Sequence, residues 1–378
     1  MGVRITRPWV TGTAFLALVA AVVSVSAVSF LDMHRDRPIY PGPGVTTVGM
    51  LSTYFAGLAG TGLDTEVYYL EGSAPGATVL VLGGTHPNEP AGFLAAVLLV
   101  ENAIVERGRL IVIPRANRSG FTCTDPGEGQ PQTYEIETPG GPREFVFGSR
   151  ATNPIHQWPD PVVYVNRLGQ RLMGAEVRNL NRSYPGSPTG YPTEQLGYAI
   201  VELIQAEKPA LAIDLHEASP EYPVINTIVA HPRALGLAVQ TSMFLELEGM
   251  DIGVEVSPES LRGLSHREWG DNTDTLALLF ESCNPAQGRL RGRTDTALVL
   301  TGQDKFYVRA GGRNALYVRF TDQGWPLEER VGRHLQALLS LVEIYTAEHP
   351  QAPFAVKGIP RLAELRKEGL GMYLHPPE

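Results

Sequence analysis

Two polar interruptions of apolar runs carry residue types suited to metal chemistry: His86 and Glu89 in GGTHPNE (83–89), and Asp214 and His216 in DLHE (214–217). Taken singly, each reads as a turn or a solvated strand end. Together they offer two imidazoles and a carboxylate, the ligand set of a catalytic zinc site that keeps a fourth position for water. One zinc ion, held by His86, Glu89 and His216, is therefore the expected cofactor. Asp214 lies two residues before His216 and shares its strand face. A carboxylate there accepts the proton on the non-ligating nitrogen of His86 or His216 and fixes the tautomer. Glu217 points to the other face and is the weaker ligand candidate.

Those motifs need strand ends to position them. TEVYYLEG reads as a strand and ATVLVLGG as a second one, apolar throughout as a covered sheet requires. AGFLAAVLLVENAI then reads as a helix and GRLIVIPRAN as the next strand, a parallel crossover unit that opens its ligand crevice at the carboxyl ends of the strands. PALAIDLHEASP, VINTIVA and TLALLFES are further strands. TEQLGYAIVELIQAE is a helix with Thr193 as candidate N-cap, and PRALGLAVQTSMFLELEG and LEERVGRHLQALLSLVEIYTAE are two more. The expected fold is α/β: a mostly parallel mixed sheet covered by helices on both faces. Periodicity is lost between about 119 and 178, a turn-rich insertion read as a rim over the site, with PVVYVNRLGQRLMGA as one short helix inside it.

With these motifs in order, the chain resembles the zinc carboxypeptidase superfamily, and within it the succinylglutamate desuccinylase and aspartoacylase family. Members carry a Gly-Gly-x-His-x-x-Glu turn, an Asp-Leu-Asn-Arg segment, an Asp-Leu-His strand end and a later catalytic Glu. The counterparts here are GGTHPNE, RNLNRSYPG (178–186), DLHE and LLFES (278–282), within a match from residue 76 to about 285. The resemblance implies that Glu281 is the general base, passing its proton to the leaving amine, and that Asn181 and Arg182 hold a substrate carboxylate. It also implies an oxyanion arginine upstream of that pair. Arg178 ranks first for its tie to the motif and Arg171 second, with Arg167 and Arg118 also within reach. His266, Arg267 and Asp271 approach the same edge, without an assigned role. Two positions depart from the family pattern: Pro87 stands where Gly is usual, and Asn179 where Asp is usual, which removes or weakens the salt bridge that Asp makes.

The expected activity is zinc-dependent hydrolysis of an amide bond in a small carboxylate-bearing substrate, as in N-acyl amino acid deacylation. Two alternatives stay open: an exported metallocarboxypeptidase acting on peptides or cell-wall peptides, and a module that binds zinc and ligand without turnover. The formal charge of −9, with acidic and basic residues mixed along the chain, argues against a nucleic-acid surface. Residues 9–31 are uncharged and long enough to span a bilayer, and Val25-Ser26-Ala27 has side chains small enough for signal peptidase. The expected organisation is a signal peptide or membrane anchor at 1–37 and a linker at 38–48. A zinc hydrolase domain at 49–350 and an extension at 351–378 follow, with the protein exported or anchored by its N-terminal segment. Cys123 and Cys283 form no metal-binding pattern, and a single disulfide between them is an open alternative to two free thiols.

Overall fold

The apolar runs become strands of one mixed sheet in the computed structural model, which describes residues 8–125 and 127–377. Helix α1 (Pro8–Met33) precedes β1 (Thr47–Met50), β2 (Glu66–Glu71) and β3 (Ala74–Leu82), and α2 (Pro90–Asn102) crosses back to β4 (Ile104–Ile113). Two hairpins follow, β5 (Thr133–Thr138) with β6 (Gly141–Val146) and β7 (Val163–Val165) with β8 (Arg171–Met173). Next come α3 (Pro192–Glu207), β9 (Leu211–Ala218), β10 (Thr227–Ala230), α4 (Leu235–Leu247), β11 (Gly253–Val256), α5 (Ser265–Asn272) and β12 (Leu276–Cys283). Two short helices, α6 (Thr296–Thr301) and α7 (Lys305–Gly311), lead to the long α8 (Leu327–Glu348), then β13 (Ala355–Lys357) and α9 (Leu362–Glu368).

The strand order is β1-β2-β4-β3-β9-β12-β10-β11, with β13 added to β4. The four central strands β4, β3, β9 and β12 run parallel, and β2 and β10 join them antiparallel on either side. Alternation along each strand divides the core into two layers. Val79, Val81, Ile213, Leu278 and Phe280 pack with α2, α4 and α8. Leu80, Leu82, Ala212 and Ala277 pack with α3 and Trp269 of α5. Asp214, His216 and Glu281 continue the second series, so the polar groups emerge on the α3/α5 side, where the parallel strands end. Glu217 falls in the first series and faces α8.

Two local expectations differ from the structure. PVVYVNRLGQRLMGA forms the β7–β8 hairpin rather than a helix, because its β-branched and aromatic residues flank a tight turn in which Asn166 Oδ1 accepts from the N–H groups of Leu168 and Gln170. Thr193 is not the N-cap of α3. The cap lies two residues earlier, at Tyr191: the helix starts at Pro192, whose missing N–H suits a first position, and the Tyr191 N–H donates to Glu194 Oε2 at 2.9 Å.

Helix α1 is exposed along its apolar stretch, and the segment Trp9–Met33 is long and apolar enough to cross a membrane, a property that a signal sequence shares. The segment read as a linker lies along the body, where the Gly42 N–H donates to Val100 O. Beyond residue 350, β13 extends the central sheet through β4 and α9 packs on α8. Cys123 and Cys283 are free thiols; burial pushes the Cys123 thiol up to about 12.

Candidate metal centre

The turn after β3 turns back on itself at Gly84, whose φ of 63° favours glycine. There a Cβ would meet Pro114 O at 2.7 Å and the Phe121 ring at 2.8 Å. Thr85 and His86 are thereby swung over the end of β9, and Glu89 follows just before α2 begins at Pro90. The ligating atoms of His86, Glu89 and His216 lie within 4.8 Å of one another, and all three residues are buried.

The donor set tests well against a divalent cation. His86 Nδ1 is 2.8 Å from Glu89 Oε1, His216 Nδ1 is 2.9 Å from Glu89 Oε2, and the two Nδ1 atoms stand 3.1 Å apart. The far nitrogens face acceptors. His86 Nε2 donates to Asn179 Oδ1 at 2.9 Å. His216 Nε2 lies 2.9 Å from Asp214 Oδ2, close enough for an ion pair though out of line for a directed hydrogen bond. Asp214 is itself held by the Thr85 hydroxyl at 2.8 Å. With both far nitrogens carrying the protons, two lone pairs and a carboxylate converge on one point, which calls for a cation. Burial pushes the His86 imidazole down to about 4, leaving it neutral as a ligand must be. Burial also works against a charge on His216, yet Asp214 and Glu89 hold it well above its ordinary value. Burial opposes ionisation of Glu89 as well, and the two imidazoles hold its carboxyl well below the usual range.

Asn179, where Asp is the expected residue, accepts from His86 as a neutral hydrogen bond without a salt bridge. Its Nδ2 donates to Glu176 Oε2 at 2.7 Å, which fixes the orientation of the amide. Pro87 has neighbours shaped to it: a Cβ on Gly120 or Gly148 would meet its ring at 2.8 and 2.6 Å. This close seat carries Gly148–Ser149–Arg150 over the metal turn, where Arg150 Nη1 reaches Glu89 Oε1 at 3.0 Å.

The site opens into a cavity of about 440 Å³ whose wall includes His86, Glu89, His216, Glu281, Asn181 and Arg182. Glu281 pairs in register with His216 across β12 and β9. Its Oε2 is enclosed without a hydrogen-bond partner among the described residues, and burial pushes the carboxyl up to about 8. Asn181 is held by the Ser265 N–H at 2.8 Å. Burial, and next the neighbouring guanidinium of Arg150, lower the Arg182 pKa, so an anion beside Arg182 would relieve it.

The arginines ranked from sequence lie elsewhere. Arg178 is clamped by Asp160 at 2.8 and 3.0 Å and does not line the cavity. Arg171 is exposed on β8. Of residues 119–178, the wall takes Arg150, which the sequence reading passed over. His266 is on the wall, its Nδ1 2.8 Å from Ser257 Oγ, and burial pushes it down to about 3. Arg267 is off the wall and pairs with Asp271 at 3.0 Å. Gln287, also unforeseen, donates to Glu89 Oε1 at 3.0 Å.

No family model matches the chain, and no curated protein does. Among solved structures, the chain is structurally similar to members of the succinylglutamate desuccinylase and aspartoacylase group. A succinylglutamate desuccinylase from Silicibacter shares 15% identity at a TM-score of 0.37, over 65% of this chain and 63% of that one. An aspartoacylase family protein from Mesorhizobium loti shares 18% at 0.37, over 65% and 62%. The cell shape determinant protein Csd4 from Helicobacter pylori shares 12% at 0.46, over 80% and 58%. The chain thus spans less than two thirds of the length of each.

Proposed function

We propose that the protein is a zinc-dependent amidohydrolase acting on a small substrate that carries a carboxylate, such as an N-acyl amino acid. The observation that carries the reading is the buried convergence of His86, Glu89 and His216 in one cavity with Glu281, whose Oε2 has no hydrogen-bond partner among the described residues. When bound, zinc supplies a Lewis acid that polarises the amide carbonyl and makes water acidic near neutral pH. Glu281 then takes a proton from the attacking water and returns it to the leaving amine. Arg182, with Asn181 beside it, anchors the carboxylate, since a planar guanidinium matches two carboxylate oxygens. Arg150 replaces Arg178 as the cation closest to the ligand set and suits the developing oxyanion. The cavity volume falls in the range of small-ligand sites, which supports this reading over an extended peptide groove. The exposed apolar α1 fits a protein delivered to or anchored at a membrane, with its hydrolase body on the exported side.

Protein prepared without chelator is expected to carry one zinc per chain by elemental analysis and to hydrolyse N-acyl amino acids. Chelation should abolish that activity, and added zinc should restore it. Metal-free protein with full turnover in chelator would end the proposal. Arg182→Ala is expected to raise KM about 10- to 100-fold for carboxylate-bearing amides, the value of a lost charge-assisted hydrogen bond. Neutral amides of the same size should be little affected. Equal losses for both classes would remove Arg182 as the anchor.

A further inference from the structure

The cavity has two unlike halves. One holds the metal ligands, Glu281 and the arginines. The other is built from Val229, Val256, Pro258, Leu261, Leu264 and Leu279. Val229, Leu264 and Leu279 are buried, yet they belong to none of the three apolar clusters of the body. Each lines the cavity instead, with a small part of its surface. Val229 and Leu279 face each other in register on β10 and β12, two residues from Glu281 and on its side of the sheet. Leu264 stands at the other end of this wall, beside the carboxylate anchor: the Ser265 N–H donates to Asn181 Oδ1 at 2.8 Å, and Gly263 O accepts from the Tyr184 N–H at 3.2 Å. The apolar wall therefore runs from the anchor to the base.

Charge in the cavity is equally one-sided. Among the described residues its wall has two arginines and no lysine, and Arg150 already faces Glu89 at 3.0 Å. That leaves Arg182 for one carboxylate. A second carboxylate on the substrate would find no further cation, only the neutral groups of Ser219, Tyr222 and His266, the apolar wall and Glu255, and a buried charge without a countercharge is costly.

We propose that the cavity selects the N-acyl derivative of an apolar amino acid, with one carboxylate on Arg182 and a branched aliphatic or aromatic side chain against the Leu264–Leu279 wall. This rests on the hydrolase reading and narrows its substrate class. Dicarboxylic substrates, N-acyl aspartate or glutamate, are excluded by the same wall.

The test uses the full chain, zinc-loaded, with kcat/KM measured for N-acetyl-leucine, N-acetyl-phenylalanine, N-acetyl-aspartate and N-succinyl-glutamate. Binding of free leucine and glutamate is measured alongside by calorimetry. The apolar pair is expected to exceed the acidic pair by about 100-fold, because a pocket without a partner rejects a charged group strongly. Equal or greater rates for the acidic pair would overturn the inference while leaving the hydrolase standing. If nothing is hydrolysed but leucine binds in preference to glutamate, the pocket assignment stands and the hydrolase reading falls. If neither rate nor binding shows the preference, both fall. Val256→Arg adds a cation at a position 47% exposed, where the fold tolerates it. It is expected to shift the ratio of rates towards the acidic pair by about 10-fold, and an unchanged ratio would overturn the placing of the side chain on this wall.

Discussion

Glu281→Gln is expected to leave the zinc content at one ion per chain while lowering kcat by about 10²- to 10⁴-fold, the usual contribution of a positioned general base. The amide is nearly isosteric with the carboxylate, so the packing around β12 stays intact. It cannot accept a proton from water, and that single function is what the substitution removes. Glu281 lies directly across from His216 in strand register and shares its face of the sheet. One of its oxygens is enclosed with no hydrogen-bond partner among the described residues. A buried carboxyl with an unpaired oxygen is costly unless something in the site uses it. Because Glu281 is not among the three residues whose ligating atoms converge, zinc should bind the variant as before, and KM should change little, since the carboxylate anchor is untouched. Elemental analysis with steady-state kinetics on the same sample separates the roles. Loss of zinc would make Glu281 a ligand, and unaltered turnover would place the base elsewhere.

The parts of this site that the sequence makes legible are those fixed by strand periodicity. Asp214 and His216, two apart in an apolar run, have to share a face, and Glu217 has to leave it; the structure sends Glu217 to Arg330 on α8, on the opposite side of the sheet. The Gly-Gly turn after β3 likewise announces a close backbone approach, realised where Gly84 meets Pro114 and Phe121. Arg150 was not legible, because nothing local distinguishes it from the other arginines of the insertion. Its place depends on Gly120 and Gly148 seating against Pro87, a contact between segments far apart in the chain. Arg178 was misplaced for the converse reason. Proximity to a motif in sequence says nothing about the direction of a side chain, and Asp160 claims this one. The apolar half of the cavity is illegible for a third reason: Val229 and Leu279 look like ordinary core residues until the assembled sheet sets them on the cavity wall, outside the apolar clusters.

Arg330→Met is expected to destabilise the folded body by about 3–5 kcal/mol near pH 8, because it strips the cation from a buried ion pair and leaves the carboxylate behind. Arg330 Nη1 holds Glu217 Oε1 at 2.8 Å with both side chains fully buried. The other Glu217 oxygen accepts from the Ala91 N–H at 2.8 Å, and the Glu217 N–H donates to Glu89 Oε2 at 3.0 Å. The pair therefore ties the ligand-bearing end of β9 to the start of α2, and its loss should weaken zinc binding as well. Burial pushes the Glu217 carboxyl from 4.5 up to about 7 even with Arg330 opposing it. Between those values the folded state binds the extra proton, so this group's contribution to stability falls as pH rises through that window. Removing Arg330 raises the folded value further. The deficit of the variant should accordingly be small at pH 5, where the carboxyl is already protonated, and should grow towards pH 8. Urea unfolding at the two pH values reads this directly. Adding Glu217→Gln to Arg330→Met should recover most of the loss and flatten its pH dependence, since no buried charge is then left without a partner. A deficit equal at both pH values and not relieved by the second substitution would mean that Arg330 acts through its packing rather than its charge.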